Sequence, residues 1–231
     1  MTLWHLMKND FRFQWRHGIH SAYAVVILLY AITLRLLPDS IRPGLMAGLL
    51  FSDVTVFGFF FVGGIVLLEK SQGVQTPLFM SPIAPTAYLY SKMTTMALNS
   101  LFFGSVLILS SGVHLFCWTD TLLSVLLMSV FFTLLGLAIA MRAPHLNAYF
   151  ILSIPATLLL SAPMILLALP ITHPWLWLFP VTGGWQIMAS GILSQHVMFW
   201  PAVLTLLASI FAVWTLTKKW LYRFVIGGGN V

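Results

Sequence analysis

Residues 45–68 read LMAGLLFSDVTVFGFFFVGGIVLL, with Asp53 the single charged side chain in the stretch. As a helix rising about 1.5 Å per residue, such a run is long enough to cross roughly 30 Å of hydrocarbon. Its apolar residues are continuous rather than alternating, which sets aside the strands of an outer-membrane barrel. Comparable runs recur at 21–37, 93–116, 121–141, 147–169 and 199–217. The pattern predicts an all-α polytopic membrane protein with six transmembrane helices in a single transmembrane domain, 1–231. Composition agrees, because 60% of the 231 residues are hydrophobic and only 7% charged, against about a quarter charged in soluble domains.

Outward from the spans, residues 1–18 place His5, Lys8, Asn9, Arg12 and Arg16 on one helical arc, with Trp4, Met7, Phe11 and Trp15 beside it. A basic face flanked by aromatics predicts an amphipathic helix lying in the headgroup layer against membrane lipid. Lys8, Arg12 and Arg16 are its anchoring cations. Pro155 and Pro163 fall inside the fifth span, where each removes an intrahelical hydrogen bond, so kinks or a break are expected. Residues 171–198 are apolar but interrupted by Pro174, Pro180, Gly183 and Gly184. The uninterrupted piece is too short to cross and reads as an interfacial or re-entrant, non-spanning segment on the extracytoplasmic side. No short apolar segment followed by a cleavage site is read at the N-terminus, so the first span is expected to serve as the insertion signal.

Cytoplasmic loops carry the excess of Lys and Arg. Lys8, Arg12, Arg16, Lys70, Lys92, Arg142, Lys218, Lys219 and Arg223 fall on one side, and only Arg35 and Arg42 on the other. This predicts both termini in the cytoplasm of a multi-pass cell (inner or plasma) membrane protein. The same scatter argues against nucleic-acid binding, which needs a gathered basic surface. Cys117 is the single cysteine, so no internal disulfide and no cysteine-based metal site is expected.

Chemistry is sparse. No phosphate-cradling G-x-x-x-x-G-K-[ST] and no H-E-x-x-H occurs, and no serine, histidine and acid group by spacing. The chain is therefore expected to have no catalytic residues, to bind no cofactor or metal and to be no enzyme. Asp53 is the one acid inside a span. An ionised carboxylate there costs a few kcal/mol unless water or a partner relieves it. It reads as part of a translocation path or subunit contact, or as a buried structural carboxyl.

The connection EKSQGVQTPLFMSPIAPTAYLYSK, residues 69–92, carries the most information. An acid closes the second span, a Gly, a Thr and an apolar turn follow, and then a Ser-Pro step leads to a Tyr-Leu-x-x-Lys. This resembles the membrane-spanning (permease) subunits of ABC exporters of the type-2 permease family. The matching positions are Glu69, Gly73, Thr76, Leu78, Ser81, Pro82, Tyr88, Leu89 and Lys92, although Gly73 and Thr76 are usually adjacent in that family. The resemblance implies that 69–92 is a cytoplasmic coupling loop seated on an ATPase subunit, with Glu69 and Lys92 holding the helix ends at the membrane surface. It further implies separate ABC ATPase partners that carry ATP and magnesium, and a second permease subunit in a homodimer or heterodimer. The aromatic and methionine-rich, nearly uncharged spans suit a hydrophobic or amphipathic cargo, with drug or antibiotic efflux first and peptide or haem export second. The rival expectation is a secondary transporter or channel using Asp53.

Overall fold

Hydrocarbon offers backbone N–H and C=O groups no partner, so a crossing chain folds into helices that satisfy those groups internally. The computed structural model describes residues 3–74, 84–168, 176, 179–194 and 198–226, and every regular element of length among them is helical. α1 is Leu3–Arg16 and α2 is Ile19–Leu36. α3, Arg42–Thr55, passes through a wider π turn at Val56–Phe61 into α4, Val62–Ser71. Then come α5 (Pro85–Ser111), α6 (Trp118–Ala140), α7 (Leu146–Ala168), α8 (Pro180–Leu193) and α9 (Phe199–Ile226).

Among the described residues, five helical stretches are long and apolar enough to cross a membrane: Ile19–Leu36, Arg42–Ser71, Pro85–Ser111, Trp118–Ala140 and Phe199–Arg223. The described apolar part of α7, Leu146–Ala162, is shorter. The polytopic all-α reading therefore holds, with five of the six expected crossings long and apolar enough to span among the described residues. Helix α7 runs through Pro155 and Pro163 without the expected break. One lost backbone bond per proline is tolerated where neighbouring groups and local adjustment re-satisfy the freed carbonyl. Helix α5 begins at Pro85, earlier than hydropathy suggested, because proline at the first helical position has its φ preset and no N–H to leave orphaned. Tyr88 and Lys92 are consequently helical residues rather than loop residues.

Helix α6 is the central post, in contact with α3, the π turn, α4, α5, α7, α8 and α9. Lipid tails are as apolar as leucine, so close approach through small residues and interhelical hydrogen bonds must hold such a bundle. Along α6 both devices appear. Ser124 Oγ donates to the Gly184 carbonyl of α8 (2.6 Å), Ser129 Oγ meets Ser100 Oγ of α5 (3.0 Å), and Thr217 Oγ1 of α9 donates to the Leu134 carbonyl (3.2 Å). Gly136 lets α6 lie on the π turn: a Cβ there would stand 2.7 Å from the Phe59 carbonyl oxygen.

A π turn leaves carbonyls out of register with the α ladder. The Phe59 carbonyl accepts from the buried Tyr149 hydroxyl of α7 at 2.5 Å. Tyr149→Phe should therefore lower stability by about 1–3 kcal/mol, read as a lower melting temperature of the detergent-purified protein. A melt equal to wild type would remove the hydroxyl from any part in holding the turn.

The 14 residues of α8 span only about 21 Å, short of a crossing. This helix is buried against α6 and α9, with its Gly191 carbonyl accepting from the Phe116 and Cys117 amides.

The charged residues segregate along the bundle. At one end Lys70 Nζ reaches the Ala143 carbonyl at 3.5 Å and the Arg142 guanidinium lies 4.0 Å over the Trp220 ring. At the other, Arg35 Nε donates to the Ser110 carbonyl (2.7 Å), and Arg42 binds the Leu34 and Leu37 carbonyls and Asp39.

Candidate functional site

Helix α1 is built with three stripes. Lys8, Arg12 and Arg16 are exposed, as are Trp4, Phe11 and Trp15. Leu6, Asp10 and Gln14, spaced four apart, form the buried stripe that docks against α5. Gly18, in the left-handed region at φ 70°, then turns the chain sharply from α1 into α2. A residue with a Cβ pays a steric penalty in that conformation.

The end of α4 is closed by a Schellman arrangement. The Val74 amide donates to the Glu69 carbonyl (3.0 Å) and the Gly73 amide to that of Lys70 (3.1 Å), with Gly73 left-handed at φ 68°. The glycine at this position is thus explained by helix termination. The same turn delivers the Glu69 side chain to the start of α5.

There the pieces meet. The Lys92 ammonium is fully buried, donates to Asp10 Oδ1 at 2.6 Å and also binds Glu69 Oε1. Tyr88 Oη donates to Glu69 Oε2 (2.8 Å), Ser91 Oγ donates to Asp10 Oδ2 (2.5 Å), and Lys92 Nζ lies 5.2 Å from the Tyr88 ring centroid. One ammonium is shared by two carboxylates, and two hydroxyls take up further oxygens. Unpaired, each of these ions would carry a desolvation cost of several kcal/mol; joined, they form a junction between α1, the end of α4 and the start of α5. Glu69 and Lys92 therefore close the two helix ends from inside the protein. They are paired with each other, because α5 starts early enough to carry Lys92 into the bundle.

A second polar line runs deeper along the same seam. Asn99 Nδ2 donates to Gln14 Oε1 (2.6 Å), and His20 Nε2 meets Asn99 Oδ1 (3.3 Å).

Of the sequence-matched loop positions, the structure brings Glu69, Tyr88 and Lys92 together, places Gly73 at the helix stop, and buries Leu89 in the core. Thr76, Leu78, Ser81 and Pro82 lie outside the described residues. Asp53 is buried in α3 about 16 Å along the helix from Arg42. It lies one turn before Phe57, whose ring centroid is 4.5 Å from that of Tyr23. The Asp53 carboxyl and the Tyr23 hydroxyl interact with each other, and neither Asp53 Oδ2 nor Tyr23 Oη has a further hydrogen-bond partner among the described residues.

A model of the Fluoroquinolones export permease protein family matches residues 1–228. The chain belongs to that family. It is 27% identical over 186 residues, 79% of this chain and 77% of the relative, to the Fluoroquinolones export permease protein of Mycobacterium tuberculosis strain CDC 1551 / Oshkosh. The figures are the same for the protein of that name from strain ATCC 25618 / H37Rv. An export permease is a transport chain, as the resemblance in residues 69–92 implied, and its helices are those of a multi-pass membrane protein.

Asp10, Gln14, Ser91 and Asn99 escaped the sequence reading. A usable signal was present for the first two: Asp10 is the one acid in residues 1–18, and with Leu6 and Gln14 it forms a four-residue repeat opposite the basic arc.

Proposed function

We propose that this permease is the membrane-spanning subunit of an ABC-type drug exporter, working with a second permease subunit, identical or a sister chain, and driven by separate ATPase subunits that hold ATP and magnesium. The match of residues 1–228 to a family described by fluoroquinolone export carries this reading. It favours an amphipathic, aromatic antibiotic as cargo over a peptide or haem. The junction supports coupling through residues 69–92. Glu69 and Lys92 bracket that segment, and Asp10 ties α1 to Lys92 and, through its ammonium, to Glu69, so a push on the loop is delivered to α1, α4 and α5 at once. In this reading the Lys92 end of the bundle and both termini are cytoplasmic, α8 belongs to the extracytoplasmic rim, and Gly73, Thr76, Leu78, Ser81 and Pro82 lie in or beside the ATPase contact.

The test is uptake of a fluoroquinolone by inside-out vesicles carrying the permease and its co-encoded ATPase. Uptake should require ATP and magnesium and stop when the ATPase is catalytically inactivated. Uptake that persists without the ATPase and follows the proton gradient would sink the reading.

The rival, transport coupled to ions through Asp53, has one observation behind it: a buried carboxyl that faces a buried tyrosine hydroxyl, with no further hydrogen-bond partner for either among the described residues. Under the ABC reading, Asp53→Asn keeps the shape of the side chain and an oxygen that can still accept from the Tyr23 hydroxyl, and should leave ATP-dependent uptake within about twofold of wild type. Loss of uptake together with loss of its pH dependence would transfer the coupling role to Asp53.

A further inference from the structure

Along the α1–α5 seam lies a cavity of about 560 Å³, walled by Phe11 and Trp15 of α1, His20 of α2, and Asn99, Phe102 and Phe103 of α5. We propose that this cleft is a drug-docking site entered from the lipid, where a planar aromatic amphiphile binds with its ring system among the aromatic side chains. The inference rests on the export function proposed above and gives that function a first point of contact.

The volume lies within the range of sites for drug-sized ligands, which combine apolar walls with few polar groups. Among the described residues no Asp, Glu, Lys or Arg lines the cleft, so a ligand with little net charge suits it. The aromatic side chains are arranged around one ring: the His20 centroid lies 4.8 Å from that of Phe11, 5.7 Å from Trp15 and 6.2 Å from Phe103. Phe102, 63% exposed, adds an open face. Flat ring systems gain from offset or edge-on contact with such faces.

The hydrogen bonds set the polarity of the histidine. Asn99 Nδ2 donates to Gln14, so its Oδ1 accepts, and His20 Nε2 is then the donor to it. His20 Nδ1 is itself buried, so what the cleft offers a ligand is its ring faces and not this nitrogen. A phospholipid acyl chain has no ring face to set against them.

The position also links cargo to the junction. Asn99 follows Lys92 by two helical turns on α5, and Gln14 follows Asp10 by one turn on α1. A ligand bridging Phe11 and Trp15 to Phe102 and Phe103 therefore closes the same seam that Asp10 and Lys92 close.

The experiment measures binding of norfloxacin to the full-length permease in phosphatidylcholine/phosphatidylglycerol nanodiscs, with fluoroquinolone export by inside-out vesicles assayed in parallel. Phe102→Ala and Ala24→Trp alter exposed positions at the cleft, so folding is not at stake. Each should weaken binding about tenfold or more, the first by removing a stacking face and the second by filling the space. Unchanged affinity in both variants would overturn the site. So would a phospholipid retained in the cleft at saturating drug, seen by native mass spectrometry as undiminished lipid occupancy. Absence of binding to wild type also overturns it. If vesicles still export the drug in that case, only the docking site falls; if they do not, the proposed cargo falls as well.

Discussion

Lys92→Met is expected to strip the permease from the membrane fraction or lower its melting temperature sharply. The substitution leaves Asp10 and Glu69 buried side by side with no ammonium between them, and removing one partner of a buried ionic group costs about 3–5 kcal/mol. That is a large part of the roughly 5–15 kcal/mol by which folded proteins are stable. Lys92→Arg is no safe replacement, because a planar fork must fit a space shaped around a point charge shared by two carboxylates. The informative control is the combined Asp10→Asn, Glu69→Gln, Lys92→Met variant, which removes all three charges. It should regain much of the lost stability, since apolar or neutral replacement of a whole buried ionic group is often tolerated. If the proposed coupling is right, it should still export poorly. A single Lys92→Met variant with wild-type melting and abundance would show that the junction holds nothing together.

Gly136→Leu should be comparably severe through sterics alone. Even the first added carbon would stand 2.7 Å from the Phe59 carbonyl oxygen and closer still to a Val62 methyl. Backbone cannot rotate away as a flexible side chain does, so α6 must move off the π turn. Overpacking of a close-packed core costs about 1–3 kcal/mol and occasionally more, and a shifted α6 disturbs every helix that leans on it. Gly136→Ala should show a milder fall in melting temperature. An unchanged melt for Gly136→Leu would mean that α6 and the π turn are not in contact in the membrane.

Span positions were legible because the bilayer imposes them: a run such as 45–68 has few folds open to it. The meeting of Glu69 with Lys92 was partly legible, as the two ends of a loop whose motif resembles a coupling loop. Its burial was not, because hydropathy placed the start of the third span at residue 93 and overlooked Pro85 as a helix opener. Asp10 was hidden by distance, its partners being Ser91 and Lys92, and by the basic arc that dominates the helical wheel. The π turn has no signature in Val56–Phe61 itself; it depends on Tyr149 and Gly136, which reach it from two other helices. Pro155 and Pro163 misled in the opposite direction, since local chemistry suggested a break where the surrounding bundle supports a continuous helix.

The wiring of α1 also sets an order of events during synthesis. Asp10 waits for a lysine that follows it by 82 residues, and Gln14 for an asparagine that follows by 85. At about 5–20 residues per second, that is a delay on the order of 4–16 s. Through that interval the first helix is made but lacks its partners on α5. It locks down only when the third long apolar stretch has been delivered, so nascent chains halted before residue 85 should leave α1 open to protease, while chains that have passed residue 99 and inserted should shield it.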